Sequence, residues 1–258
     1  VEAKPGARAR NPVGRAFEIL AWLAGADGRP AGPREIARGL AMTPSTVHRL
    51  LSQLEDDGLI RRVADGRYEL GLEFLRVAWL ASGGGSLREI ALPFLRDLVT
   101  KAGETALLAQ YDPARGQACV VAAVESDEPF RFVSGLYEWR PLHAGALGRA
   151  ILAFLPDADR EAIAAGGLER MTPATVTERE ALERSLAETR KRGYALSIEE
   201  RRVGGVGVAA PVFAPGTRVI ASVGLALPTQ RFATKDGPRL GRLVIECAAA
   251  ITGAIGGP

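Results

Sequence analysis

Cysteine and histidine are nearly absent from this chain of 258 residues, which holds two of each. Cys119 and Cys247 lie far apart, as do His48 and His143, so the sequence offers neither a disulfide framework nor the ligand spacing of a zinc cluster. A cysteine or histidine nucleophile–base arrangement has equally little to draw on, so no catalytic residues, metal or cofactor are expected and an enzyme is the disfavoured class. Apolar residues make up 47% of the chain, yet they nowhere run together for the roughly 18 positions that span a bilayer. The first residues carry no apolar signal core. No membrane partner is expected, and a reducing cytoplasm is the expected compartment. Gly204, Gly205 and Gly207 lack the G-x-G-x-x-G spacing and lead into a strand-like run, Val208 to Phe213, which argues against a phosphate loop.

The length and apolar content suffice for two cores. A formal charge of +3 permits nucleic acid without demanding it. The excess is uneven: Lys4, Arg8, Arg10 and Arg15 face Glu2 alone in the first fifteen residues. That basic arm is either a solvated terminus or a segment that lies on DNA. Behind it the periodicity predicts a helix over 12–24, with Val13, Ala16, Phe17, Leu20, Leu23 and Ala24 on its apolar side. A short helix over 33–40 turns Ile36, Ala37 and Leu40 inward.

The next helix opens with Pro44, capped by Thr43. Val47, Leu50, Leu51 and Leu54 recur at i, i+3, i+4 and i+7 as a buried stripe. Ser45, Thr46, His48, Arg49, Ser52 and Gln53 occupy the opposite face, all able to hydrogen-bond and none acidic. Such a face suits the major groove of double-stranded DNA, with Arg49 placed for two bonds to guanine. Residues 59–62 and 67–70 can pair around Ala64-Asp65-Gly66 as a hairpin, a wing on which Arg61, Arg62 and Arg67 would meet phosphates. Paired RNA hides its major groove from such a helix.

Residues 71–81 read as a helix with more apolar surface (Leu72, Leu75, Val77, Trp79, Leu80) than a lone linker leaves in water, so it should pack on a partner chain. Ser82-Gly83-Gly84-Gly85-Ser86 follows as a flexible joint. Beyond it lie a helix over 87–102, strand-like runs at 105–111, 118–124 and 130–133, and helices at 145–155, 157–165 and 178–192. Strands at 194–198, 206–213 and 219–227 and a last helix over about 234–255 complete the chain. Strands in consecutive groups with helices outside them predict an α+β sheet domain.

The order of these elements and several strings resemble the IclR family of bacterial transcriptional regulators. The strings include Ser45-Thr46-Val47-His48-Arg49-Leu50-Leu51, Gly66-Arg67-Tyr68-Glu69-Leu70-Gly71, Gly103-Glu104-Thr105 and Pro141-Leu142-His143-Ala144. Gly148-Arg149-Ala150-Ile151-Leu152-Ala153, Thr172-Pro173-Ala174-Thr175 and Ala209-Ala210-Pro211-Val212-Phe213 extend the match along nearly the whole chain. The resemblance implies a winged helix-turn-helix domain with its basic arm (1–71), a linker helix and joint (72–86), and a GAF-like α/β domain for effector binding and oligomerisation (87–258). It implies a homodimer or dimer of dimers on a palindromic operator, a small organic acid as effector, and repression rather than activation. Where the family usually has a glycine in the helix-turn-helix turn, this chain has Ala41, a strained choice if that residue takes a positive φ.

The same resemblance implies an effector pocket lined by the segment after Pro141-Leu142, namely His143, Ala144, Gly145 and Ala146, and by Ser197, Gly205, Gly207, Gly224 and Ala226. Ser197 stands where an acid is usual, Gly207 where a cysteine is, and Gly224 and Ala226 where serines are common. A wider, more apolar pocket is therefore expected, suited to an aromatic or longer acyl acid. Phe132, with Phe130, Tyr137 and Trp139, would supply walls unless these aromatics serve core or dimer packing. Arg140 or Arg131 would pair a carboxylate unless it is a solvated surface charge. A degenerate, ligand-independent pocket is the competing expectation. His143 is expected at the pocket edge, and Glu199-Glu200 as a surface or inter-subunit pair.

Overall fold

The structure is a computed structural model that describes residues 11–25, 29–82, 86–129, 131–132, 135–215 and 217–256, with the backbone alone for 79–82. The basic arm over 1–10, the glycines 83–85 of the expected joint, and Phe130 and Val133 lie outside the described residues. The chain divides into two compact units, Val1–Gly84 and Gly85–Pro258.

In the first unit, α1 (Pro12–Ala24) starts on an Asn11 side chain that accepts from the Gly14 amide at 2.7 Å. Helix α2 spans Pro33–Gly39 and α3 spans Pro44–Asp56, the latter with Thr43 as cap and proline at its first position. The four stripe residues of α3 are buried against Ile19, Leu20 and Leu23 of α1 and Ile36 and Ala37 of α2. Strands β1 (Ile60–Arg62) and β2 (Tyr68–Leu70) pair antiparallel with Ile60 opposite Leu70, and Asp65 and Gly66 make the turn at φ 60° and 66°. Each strand is one residue shorter than the sequence suggests, since Leu59 and Arg67 fall outside the ladder. Helix α4 (Leu72–Ser82) closes the unit.

Two expectations for α1 are corrected. Val13 is 76% and Phe17 61% exposed, while Ile19, absent from the expected stripe, is fully buried. Helix α1 carries apolar residues around more than half its circumference, so periodicity alone does not choose which strip meets α3. On α4, Leu72, Leu75 and Val77 are exposed while Phe74 packs on the core. Ala41 does take a positive φ, 50°, in the turn between α2 and α3.

The second unit begins with α5 (Leu87–Ala102), capped by Ser86 and ended by Gly103 at φ 74°. Strands β3 (Thr105–Asp112), β4 (Gln117–Val124) and β5 (Trp139–Pro141) precede α6 (Ala146–Leu152), α7 (Asp157–Ala165) and α8 (Arg179–Arg192). Strands β6 (Ala195–Ile198), β7 (Gly205–Phe213) and β8 (Val219–Pro228) and helix α9 (Gly237–Ala254) follow. The six strands form one sheet ordered β5-β4-β3-β8-β7-β6, antiparallel at every pairing. The fold is thus mixed α+β. Residues 131 and 132, expected in a strand, are not in one; β5 takes the edge of the sheet instead. The helix expected to reach Leu155 ends at Leu152, and a short 3-10 turn over Thr234–Asp236 precedes α9.

Alternation along the strands separates two cores. Ala106 and Leu108 of β3 face α5 and α9, while Leu107 and Ala109 face the opposite side with Ile151 of α6 and Leu182 and Leu186 of α8. The cavity described next opens on that second side.

Candidate nucleic-acid interface and ligand cavity

On α3 the side chains of Ser45, His48, Arg49, Ser52 and Gln53 are exposed, and Thr46 is half-buried. Thr46 Oγ1 lies 2.8 Å from Thr43 Oγ1 within the cap, and Arg49 Nη1 donates to Gln53 Oε1 at 3.2 Å. The wing arginines are less alike than the sequence suggests. Arg61 pairs with Glu69 across the hairpin but remains 68% exposed in its side chain, and Arg62 sits 6.0 Å from the Tyr68 ring centroid. Arg67 donates to the Pro30 carbonyl at 2.8 Å and to Glu35 Oε2 at 3.0 Å. Its guanidinium, 47% exposed in its side chain, thereby ties the wing to the start of α2.

In the second unit one cavity gathers Phe132, Arg140, Ala144, Gly145, Ala146, Ser197, Gly205, Gly207 and Ala226. These come from the 131–132 segment, β5, the start of α6, β6, β7 and β8, so no local pattern joins them. Leu107, Leu147, Arg201, Arg202 and Leu225 also line it and were not expected. Arg201 and Arg202 sit in the β6–β7 connection, where the sequence shows only a charged loop.

Two expected lining residues are elsewhere. His143 points to the other side of its segment, where Nε2 lies 2.9 Å from the Glu169 carbonyl and the ring borders a surface cleft with Tyr111 and Asp159. Gly224 faces its sheet neighbour: a Cβ there would lie 2.5 Å from the Val208 carbonyl oxygen and 2.7 Å from Ala209 Cβ. The glycine serves close strand packing and opens no room for a ligand.

The inference of a widened pocket is corrected on the same ground. A Cβ on Gly207 would stand 3.1 Å from Ala146 Cβ, and one on Gly205 2.8 Å from the Phe132 ring. Neighbours already occupy the volume those glycines leave. The cavity holds about 640 Å³ of space between atoms, mouth included, of which about 70 Å³ admits the centre of a water molecule. Of the expected aromatics, Phe132 lines it, whereas Tyr137 and Trp139 are exposed and Trp139 is covered by Arg115 at 4.5 Å. Arg131 is bound to Glu125 at 2.7 Å and does not reach the cavity.

Charge is concentrated at one wall. Arg140 is 8% exposed, and burial, aided by the Arg201 charge, pushes its guanidinium down to about 10, still cationic at neutral pH. Burial also lowers Arg201, with Glu138 opposing the shift and Arg202 adding to it. Glu138 Oε2 is 3.7 Å from Arg140 Nη2 and 3.5 Å from Arg201 Nη2. Arg201 Nη1 is buried with no hydrogen-bond partner among the described residues. Arg202 lies over the Phe132 ring at 5.3 Å.

Behind the cavity is a buried ion pair that the sequence reading missed. Arg149 of α6, 2% exposed, meets Glu200 Oε1 at 2.8 Å and donates to Ser185 Oγ at 3.0 Å and to the Leu196 carbonyl at 2.6 Å. Glu200 is therefore a largely buried residue of an intramolecular pair, which corrects the expectation that it lies at the surface. Burial raises the Glu200 pKa, while Arg149, the Gly145 amide and the Ser197 hydroxyl hold it down. Glu199, at φ 58°, accepts from the Gly204 amide at 2.7 Å. Thr172 and Thr175 donate to the carbonyls of Glu199 and Glu200 at 2.7 and 2.6 Å, so the Thr-Pro-Ala-Thr string fixes this loop. The signal available in the sequence was a single arginine inside the otherwise apolar helix string 148–153.

Comparison with known proteins decides the lineage. Residues 12–64 match the family model described as the IclR helix-turn-helix domain, and residues 83–253 match that of the bacterial transcriptional regulator IclR C-terminal domain. The chain belongs to the IclR family. The transcriptional repressor IclR of Escherichia coli K12 is 30% identical over 245 residues, covering 94% of this chain and 89% of that protein. The glycerol operon regulatory protein of Streptomyces griseus is 34% identical over 253 residues, covering 97% and 98%. A crystal structure of an IclR homologue from Microbacterium hydrocarbonoxydans, complexed with 4-hydroxybenzoate, shares the fold with a TM-score of 0.81 at 24% identity, covering 95% of this chain and 99% of that one. This IclR-family chain is accordingly a DNA-binding transcriptional regulator with a C-terminal effector domain, and not an enzyme.

Proposed function

We propose that this IclR-family regulator is a repressor released from, or retained on, its operator by an organic acid with an apolar body bound in the cavity of the second unit. The observation that carries the reading is the placement of Arg140 and Arg201 at the wall of a cavity whose remaining lining, apart from Ser197 and Arg202, is apolar: leucine, alanine, glycine, one valine and one phenylalanine. A guanidinium in such surroundings binds a carboxylate through two parallel bonds, and the low local dielectric strengthens the pair. The IclR homologue bound to 4-hydroxybenzoate is a relative whose ligand has this chemistry. Names of relatives such as the E. coli repressor support repression.

The DNA side of the proposal assigns Ser45, Thr46, His48, Arg49, Ser52 and Gln53 to bases and phosphates, with Arg61 and Arg62 on the flanking backbone. Exposed apolar side chains on α1 (Val13, Phe17) and α4 (Leu72, Leu75, Val77) support a homodimer joined through the first unit, which would read a palindrome in the cytoplasm. Effector action is a population shift: the acid binds DNA-competent and DNA-incompetent arrangements with different affinity.

The test is selection of duplexes from a random pool by the full-length protein at near-physiological salt, followed by titration of the enriched DNA complex with aromatic and acyl carboxylates. Enrichment of a palindrome whose binding changes with an acid, and loses that response in Arg140→Gln, supports the reading. A palindrome indifferent to every acid would leave a DNA reader with a degenerate cavity. No enrichment with or without acids would refute the whole proposal.

A further inference from the structure

Arg140 and Arg201, the two guanidiniums to which the proposed effector acid would bind, already share a carboxylate. Glu138, two residues before Arg140, brings Oε2 to 3.5 Å from Arg201 Nη2 and 3.7 Å from Arg140 Nη2. Arg201 is hydrogen-bonded to it, and the Glu138 charge opposes the effect of burial on both arginines. Arg140 makes a further interaction besides this pair. The three side chains differ in depth: Arg140 is 9% exposed, Arg201 26% and Glu138 50%. Both arginines line the cavity, and Glu138 is not among the lining residues. Its carboxylate therefore meets the cationic wall from outside that lining, on a side chain half in water.

An acid in the cavity and Glu138 would draw on the same two guanidiniums. Two carboxylates beside one arginine pair repel each other, and at an apolar wall that repulsion is screened less than in water. The arginines have little freedom to separate the two anions, since Arg140 belongs to β5 and Arg201 follows the loop that Thr172 and Thr175 hold. Glu138, by contrast, has solvent into which it can withdraw. We infer that Glu138 sets the affinity of the effector site: it is a resident carboxylate that competes with the effector's own for Arg140 and Arg201 and gives way when the acid binds. An anion without an apolar body gains nothing from Leu107, Phe132 and Leu225 to offset that competition, so the device favours acids that also fill the cavity. The inference rests on the proposed reading of the cavity as an acid-binding effector site and adds what regulates binding there.

Isothermal titration calorimetry on the full-length protein tests this with benzoate and hexanoate as the acids and benzamide as the neutral counterpart of benzoate. Glu138→Gln, a change of charge at a half-exposed side chain, should tighten both acids by about tenfold or more and benzamide by less than about twofold. Glu138→Asp keeps the charge but withdraws it by one methylene, and the lost contact with the arginines should tighten the acids by about threefold or more. Glu125→Gln removes another exposed acid of the same segment, one paired with Arg131 rather than with the cavity arginines, and should change acid affinity by less than about twofold. Acid affinity unchanged or weakened in Glu138→Gln would make Glu138 a strut for the two arginines and overturn the inference. A gain matched by Glu125→Gln, or an aspartate variant that binds as the parent does, would overturn it too, by marking a diffuse field in place of competition. In each of those cases acids still bind and the effector reading stands. If neither acid binds the parent or any variant, the acid-effector reading falls and this inference with it.

Discussion

Arg149→Met tests whether the ion pair behind the cavity organises the second unit. Arg149 is 2% exposed, and its side chain carries one carboxylate contact and two further hydrogen bonds, to Ser185 and Leu196. Methionine preserves much of the stem volume and deletes the charge, so the Glu200 carboxylate, 12% exposed, remains buried without its partner. Removing one member of a buried pair costs about 3–5 kcal/mol. With a urea dependence of about 2 kcal/mol per M, the unfolding midpoint should fall by roughly 1.5–2.5 M. Trp139 is the sole tryptophan of the second unit, so Trp22→Phe and Trp79→Phe in the background let its fluorescence report that unit.

The double variant R149M/E200Q removes both charges and should recover more than half of the loss. The pH dependence gives an independent readout. Burial already lifts Glu200 above its ordinary 4.5, with Arg149 opposing, so R149M lets it rise further. A carboxyl whose folded pKa lies above its unfolded value contributes most below the unfolded pKa and loses that contribution as pH rises through the folded one. The instability of R149M should therefore narrow as pH falls from about 7 to about 5. A loss under about 1 kcal/mol, or a double variant as unstable as the single, would refute a buried, mutually dependent pair.

Ala41→Gly should stabilise the first unit, because a non-glycine residue in the left-handed region costs about 1–2 kcal/mol and glycine returns roughly 0.5–1 of that through chain entropy; calorimetry should show its transition several degrees higher, and an unchanged or lower one would contradict the strain. Arg49→Ala is expected to lose about 1–3 kcal/mol of operator affinity and to relax one base position, as measured by fluorescence anisotropy on a panel of point-substituted operators. A uniform loss across that panel would make Arg49 a phosphate contact. Phe17→Asp with Val13→Asp places charge on the exposed strip of α1 and, if the proposed homodimer forms through it, should lower the apparent mass in sedimentation velocity at micromolar concentration, while a mass unchanged from the parent would remove this strip from the proposed dimer interface.

The exposed polar face of α3 was legible in the sequence because its causes are local. A threonine cap, a proline at the first position and apolar residues at i, i+3, i+4 and i+7 fix both the helix and its buried side within thirteen residues. The strained turn at Ala41 was likewise readable once the two helices around it were placed. The alternation of the sheet strands and the separation into two units follow from equally short-range patterns. The cavity is different in kind. Its walls come from residues more than a hundred positions apart, and whether a glycine opens space or is filled by a neighbour depends on how closely α6 and Phe132 approach the sheet. Arg201 and Arg202 read as loop charges until the folded sheet brings them to the same cavity as Arg140, and Arg149 reads as an odd charge in an apolar helix until Glu200 is beside it. Sequence patterns report the period of a single element, whereas burial, ion pairing and the filling of voids depend on which elements meet, and tertiary packing alone settles that.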